Sequence, residues 1–333
     1  MPDPTIEQFQ GCLIGCAVGD AVGAPVEAQG PLAIEAYIEG NVRPKLFVGV
    51  MRNHGDHEFG QYTDDTQLTR ELALSLAECG KLDPQDFGRR VAHMFSNKLM
   101  VGYGNATLQA AKNLMAKSAW DKSGTPAPAA GNGSAMRAAP IGLAFHGTSL
   151  SALAAAAKMQ GFVTHQSDVA SAGAAAIAAA VALAMQVEDV EPDKFLTTVA
   201  SVAGKLDERT ATLIRILGKN AKSKDDGNIL EWCRSFQMDN DRWPGISPFV
   251  TSSVLWSLYA FVKNPDDYWE CIITSIAPGG DVDTTAAMAG AISGARVGLK
   301  GIPADIAQQV NDKGEQGHDY LVDLGSQLFG KFG

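Results

Sequence analysis

Apolar residues recur along most of this chain at helical intervals. Between Asp64 and Gly80, the residues Leu68, Leu72, Leu76 and Cys79 fall at spacings of four, four and three. Arg70, Glu71 and Glu78 lie off that stripe and Gly80 supplies a stop, which predicts a helix with one buried face. The same reading predicts helices over 5–22, 85–97, 105–117, 149–160, 168–187, 194–203, 207–216, 249–263, 266–276, 284–297, 303–312 and 317–329. Only KLFVGVM, 45–51, has strand character. No fixed period recurs, which excludes a solenoid. The pattern therefore predicts an all-α chain. No charge run or composition shift marks a linker, so 1–333 reads as one domain.

Two irregular stretches break the helices. SGTPAPAAGNGSAM (123–136) is rich in Pro, Ala and Gly, and NVRPKLFVGVMRNHGDHEFGQY (41–62) lacks any helical period. Loops of that length inside a compact domain are usually functional or disordered. The long uncharged run ASAGAAAIAAAVALAMQV (170–187) could suggest a membrane span. It is mostly alanine, which gains little from transfer into lipid, and polar residues flank it closely, so a tightly packed central helix is the expectation.

Composition narrows the function classes. With 46% hydrophobic residues over 333 positions the chain can build a core. A formal charge of −10 gives no general attraction to nucleic acid or anionic lipid. The five cysteines are odd in number and form no CxxC pair, and the N-terminus MPDPTIEQFQ has neither a basic start nor an apolar signal core. These features predict a soluble, cytoplasmic, monomeric protein with unpaired thiols.

The chemistry concentrates in acidic knots at helix entrances. In QYTDDTQLT (61–69), Asp64 and Asp65 sit between Thr63 and Thr66. Thr63 as an N-cap, with acids in the first turn, is one sufficient account of that pattern. A second knot, in APGGDVDTTAAMAGAISGA (277–295), sets Asp281 and Asp283 behind Gly279 and Gly280, and capping is again the competing reading. Glu27 follows a Gly-rich turn near the first helix. If these loops meet, five carboxylates converge, and each like pair at about 4 Å costs on the order of 4 kcal/mol at an effective dielectric near 20. Bound cations would offset that cost. An all-oxygen donor set suits Mg²⁺, Mn²⁺ or Ca²⁺ rather than Zn²⁺. His54 and His57, three apart with no matching pair, are discounted as a zinc site.

In this setting the chain resembles the ADP-ribosylglycohydrolase family along nearly its whole length. The resemblance rests on GCLIGCAVGDAVGAPVE (11–27), YTDDTQL (62–68), GYGNAT (102–107), GNGSAMR (131–137), TH (164–165) and GGDVDTTAAMAGAISGA (279–295), six motifs in the family's order. It implies a compact, orthogonal multi-helix fold with a binuclear Mg²⁺ or Mn²⁺ cleft. It further implies hydrolysis of the glycosidic bond joining ADP-ribose to a protein side chain or related acceptor. Thr63, Asp64, Asp65, Asp281, Asp283 and Thr284 would then be the metal-binding set. Glu27 is the first candidate for general base, with Asp64 the alternative.

The resemblance also implies substrate contacts from Gly102, Tyr103, Gly104, Gly131, Asn132, Gly133, Ser134, Met136, Arg137 and His165. Apart from it, consecutive glycines in GNGSAMR can expose backbone N–H groups to a diphosphate, or can simply form an Asn-Gly turn. Arg137 can pair with phosphate or be structural, and His165 on its own reads as a structural histidine. A catalytically silent ADP-ribose binder is the alternative from another class, and hydrolysis of a small ADP-ribose metabolite is a third. The intact acid set argues against a mere binder. In the dinitrogenase-reductase-activating branch an aspartate near the acceptor arginine aligns with Gly102. Glycine offers a guanidinium no bidentate partner, which favours an O-linked acceptor such as serine unless Asp56 or Glu58 serves instead.

Overall fold

The computed structural model describes residues 3–47, 58–222, 226–237 and 242–333. Among the described residues there are seventeen α-helices, and the named strands are the two-residue pair Thr125–Pro126 and His165–Gln166. The all-α expectation holds. Most predicted helices lie within a few residues of the observed ones, for example Ile6–Gly23, Pro84–Ser96, Asn105–Met115, Leu150–Phe162, Val250–Lys263 and His318–Phe332.

The differences have physical causes. The helix predicted over 303–312 stops at Ala307, because the chain beyond it is recruited by a distant segment. Asn311 pairs with Gln61, and the Asp312 carboxylate accepts from Arg70. Within 45–51, Lys45–Phe47 form no strand, and the remainder falls outside the described residues. The 64–79 helix has more than one buried face: Arg70 is 2% exposed, paired with Glu71 and Asp312, so its charge is carried inside.

Two helices organise the centre. Gly11, Gly15, Gly19 and Gly23 recur every four residues on Ile6–Gly23 and face Val282–Val297 running the other way. A Cβ on Gly15 would lie 2.3 Å from the Gly290 carbonyl oxygen, and one on Gly19 2.1 Å from that of Ala286. The two backbones therefore touch. This brings the C-terminal end of the first helix, with Asp20, beside the entrance of the second, with Asp283. The first helix also passes between the two apolar clusters of the core, giving Phe9, Leu13 and Cys16 to one and Ile14, Val18 and Val22 to the other.

The Ala-rich segment is a buried helix, Asp168–Ala184, packed against 139–145, 150–162, 192–203 and 250–263. Its small side chains let those neighbours approach. Among the described residues one helix, Ile6–Val26, is long and apolar enough to cross a membrane, yet 94% of its apolar window is buried inside the protein. All five cysteines are free thiols.

Candidate active site

A cavity of about 470 Å³ opens where the acidic knots meet. Its wall includes Glu27, Asp64, Asp65, Asp281, Asp283 and Thr284 on one side, with Gly102–Thr107, Gly131–Gly133, Met136 and His165 around the rest. Segments that are remote in sequence thus supply the carboxylates together.

Capping and convergence are both present in the first knot. Thr63 is the N-cap of the 64–79 helix, and its hydroxyl accepts from the Asp65 N–H and donates to Asp65 Oδ2 at 3.0 Å. The second knot is different: Asp281 stands at the N-cap position of the 282–297 helix without capping it through its side chain. Asp281 Oδ2 instead accepts from the Asn132 side chain at 2.6 Å, tying the GNGS loop to the acid cluster. Asp283 Oδ1 accepts from the Thr284 N–H.

Asp20 completes the cluster. Wholly buried, it accepts from the N–H groups of Thr63 and Thr66 and from the Thr66 hydroxyl at 2.6 Å, clamping the start of the TDDT helix from outside. Its signal in the sequence was a single charge within the apolar, Gly-rich run 11–26, between Gly19 and Ala21. Trp243, Pro248 and Asn105–Thr107 also line the cavity, and no motif announced Trp243 or Pro248.

Among the described residues the acids form two overlapping groups, Asp20, Asp65 and Asp283, and Glu27, Asp281 and Asp283, with Asp64 in neither. In each, one carboxylate oxygen per residue lies within 4.8 Å of the others. Burial first, and then the charges of Asp283 and Asp20, hold the Asp64 and Asp65 carboxyls well above the usual range. Asp65 Oδ1 is buried and accepts no hydrogen bond. A divalent cation fits this arrangement. It would lower the repulsion and satisfy the orphaned oxygen, and hard oxygen donors in such number are the ligands Mg²⁺ and Mn²⁺ prefer.

Two residues expected to touch substrate lie beneath the cavity wall. Arg137 is fully buried and spends its guanidinium on the Gly133 carbonyl and on the side chain and backbone oxygens of Gln160. Ser134 is also buried, donating to the Ala170 carbonyl. Both hold the loop from behind. Burial lowers the Arg137 pKa to about 9 while the charge of Asp64 works against that shift, so a cation does sit behind the acids. His165 carries the loop from another side: a Cβ on Gly133 would lie 2.6 Å from its ring. Its Nδ1 pairs with the Thr164 hydroxyl at 2.7 Å, and burial pushes its pKa down to about 3, so the ring is neutral.

Gly102 has φ +69°, and a Cβ there would stand 3.7 Å from Asp64 Oδ1. Asp64 borders that wall, and among the described residues the lining stretch 102–107 adds no carboxylate of its own. Glu58 is exposed and is not among the lining residues, while Asp56, His54 and His57 fall outside the described residues.

Fold and site together define an all-helical enzyme with an acid-ringed cleft. The ADP-ribosylglycohydrolase family profile matches residues 1–333, and the chain belongs to that family. It is 30% identical to mouse ADP-ribosylhydrolase ARH3 over 328 residues, covering 90% of this chain and 86% of that one. It is 27% identical to the ADP-ribosyl-(dinitrogen reductase) glycohydrolase of Rhodospirillum rubrum, over 77% of this chain and 76% of the other. A solved structure described as an ADP-ribosylglycohydrolase-related protein complex shares the fold, with a TM-score of 0.72 at 22% identity over 98% of this chain and 99% of that one.

Proposed function

We propose that the chain, acting as one domain over 1–333, hydrolyses the glycosidic bond between ADP-ribose and a protein side chain, with two divalent cations as cofactor. The carrying observation is the meeting of Glu27, Asp64, Asp65, Asp281 and Asp283 in one cleft, faced by a loop of small residues. Mg²⁺ or Mn²⁺ would be held by Asp64, Asp65, Asp281, Asp283 and the hydroxyls of Thr63 and Thr284, with Asp20 and Glu27 close enough to contribute. Bound cations would supply Lewis-acid stabilisation to the oxygens about the anomeric carbon.

The chain's own groups do the rest. Gly131 and Gly133 allow the loop to lie against the neutral His165 ring and present backbone to the diphosphate. Asn132, fixed by Asp281, links that anion subsite to the reacting end. As the acceptor departs, positive charge builds on the ribose, and the surrounding carboxylates favour it. Glu27, half-buried and on the cavity wall, is the first candidate to take the proton of the attacking water at Oε and return one to the departing acceptor oxygen, with Asp64 the alternative. Gly102, which offers a guanidinium no carboxylate of its own, favours an O-linked acceptor such as serine, with arginine the alternative should Asp56 or Glu58 bind its guanidinium.

Matched peptides carrying ADP-ribose on serine or on arginine test this directly, each with Mg²⁺, with Mn²⁺ and with a chelator. Free ADP-ribose released faster from the serine peptide, and only with metal, is the expected result. Release from neither peptide overturns the reading, and a strong preference for arginine overturns the Gly102 argument.

A further inference from the structure

The wall that carries Gly102 has no regular structure of its own. Residues 99–104 belong to neither a helix nor a strand, so their position depends on what holds them. Its ends are pinned by the Leu99 N–H to the Met94 carbonyl, by the Leu108 N–H to the Gly104 carbonyl and by the Tyr103 ring against Phe95, and between them one buried side chain bonds to the wall's backbone twice. Gln67, one turn along the TDDT helix from Asp64 and wholly buried, accepts from the Val101 N–H at 2.9 Å and donates to the Leu99 carbonyl at 3.0 Å. The Val101 carbonyl in turn accepts from the Asp64 N–H at 2.8 Å.

The amide is itself braced from behind. Asp312 accepts from Gln67 Nε2 at 3.0 and 2.9 Å, and it is held in place by Arg70 and Gln61. From outside, Lys313 Nζ adds a second donor to the Leu99 carbonyl at 3.0 Å. Only a side chain with a donor and an acceptor can serve these partners. A carboxylate at 67 would face the Asp312 carboxylate, and an apolar side chain would strand the Val101 N–H and the Leu99 carbonyl.

We infer that Gln67 is the positioning residue for the acceptor side of the cleft, setting the distance between the Gly102–Gly104 wall and the Asp64 carboxylate. This rests on the proposed hydrolysis and deepens it. The nucleotide side, built on Gly131–Gly133 and His165, shares no hydrogen bond with this bracket. Gln67 therefore governs how the conjugate's acceptor is seated and leaves binding of free ADP-ribose alone. Arg70 and Asp312 extend the control to the C-terminal loop 311–316, far in sequence from the wall it steadies.

The experiment compares wild type, Gln67→Met and Lys313→Met. It measures kcat and KM on the ADP-ribosyl peptide that wild type cleaves, the calorimetric Kd for free ADP-ribose, and the melting temperature. Gln67→Met is expected to lower kcat/KM by about tenfold or more, as a misplaced wall would, with the ADP-ribose Kd unchanged. Lys313→Met removes only the outer, exposed brace, so it should keep the wild-type melting temperature and show a smaller loss in the same direction. A folded Gln67→Met with wild-type kcat/KM overturns the inference, as does one whose ADP-ribose affinity falls in step with kcat/KM. If Gln67→Met does not fold, an unchanged kcat/KM in Lys313→Met overturns it instead. A wild type that cleaves no conjugate at all sinks the proposed function itself, a result separate from either variant outcome.

Discussion

Asp283 belongs to both acid groups of the cleft, and its charge is the largest neighbouring one raising Asp64 and Asp65. A side chain that repels its neighbours when metal is absent and binds when metal is present should show opposite effects in the two states. Asp283→Asn keeps the shape and removes the charge. It is expected to abolish turnover and weaken Mn²⁺ binding in calorimetry, yet to melt no lower than wild type in chelator. Full activity of this variant under limiting metal would reduce the 281–284 stretch to an ordinary helix entrance. Legibility at this scale was uneven. Asp64, Asp65, Asp281 and Asp283 stood out because two acid–threonine knots, each explicable alone as capping, fell within motifs of one family resemblance, whereas Arg137 read equally as phosphate ligand or support. Its guanidinium turns away from the cavity onto Gln160, a partner 23 positions along the chain.

At the scale of elements, the glycine face of the first helix does what its apolar content cannot. Close approach of Ile6–Gly23 to Val282–Val297 leaves no room for a methyl group at Gly15, 2.3 Å from the Gly290 oxygen. Gly15→Ala should therefore lower unfolding free energy by about 1–3 kcal/mol, the usual cost of overpacking. Gly330→Ala is the matched control. It lies in the last helix with nothing within 4 Å of its Cβ position and should gain up to about 1 kcal/mol from helix propensity. Leu72→Ala, on the buried stripe, should cost about 2–5 kcal/mol. Urea titration of the three variants checks all three signs. A neutral Gly15→Ala would mean that the two backbones can part without loss.

For the whole molecule, gathering the buried carboxylates of residues 20, 64, 65, 281 and 283 with the half-buried Glu27 makes stability depend on whatever neutralises them. Cations that bind the folded chain alone raise its unfolding free energy by about 2.7 kcal/mol per site at a hundredfold excess over Kd. Scanning calorimetry should accordingly show a melting temperature that rises with Mn²⁺ or Mg²⁺ and falls on chelation, with about two ions bound per chain. Unchanged melting across a wide range of both metals, in protein shown by elemental analysis to carry no ion, would remove the binuclear reading.

By itself the sequence determined the all-α class, most helix spans and the residue types at the helix entrances, because hydrophobic period and capping chemistry are local properties. It also carried the family resemblance, since motif order survives where distances are unknown. Only the tertiary structure decided which buried polar groups meet. Asp20 clamps Thr63 and Thr66 across 43 and 46 positions, Gln67 reaches Asp312 across 245, and the 303–312 helix is cut short by pairing with Gln61. Buried hydrogen bonds and charges are specified by partners brought together through packing, and no interval along a chain encodes such a meeting.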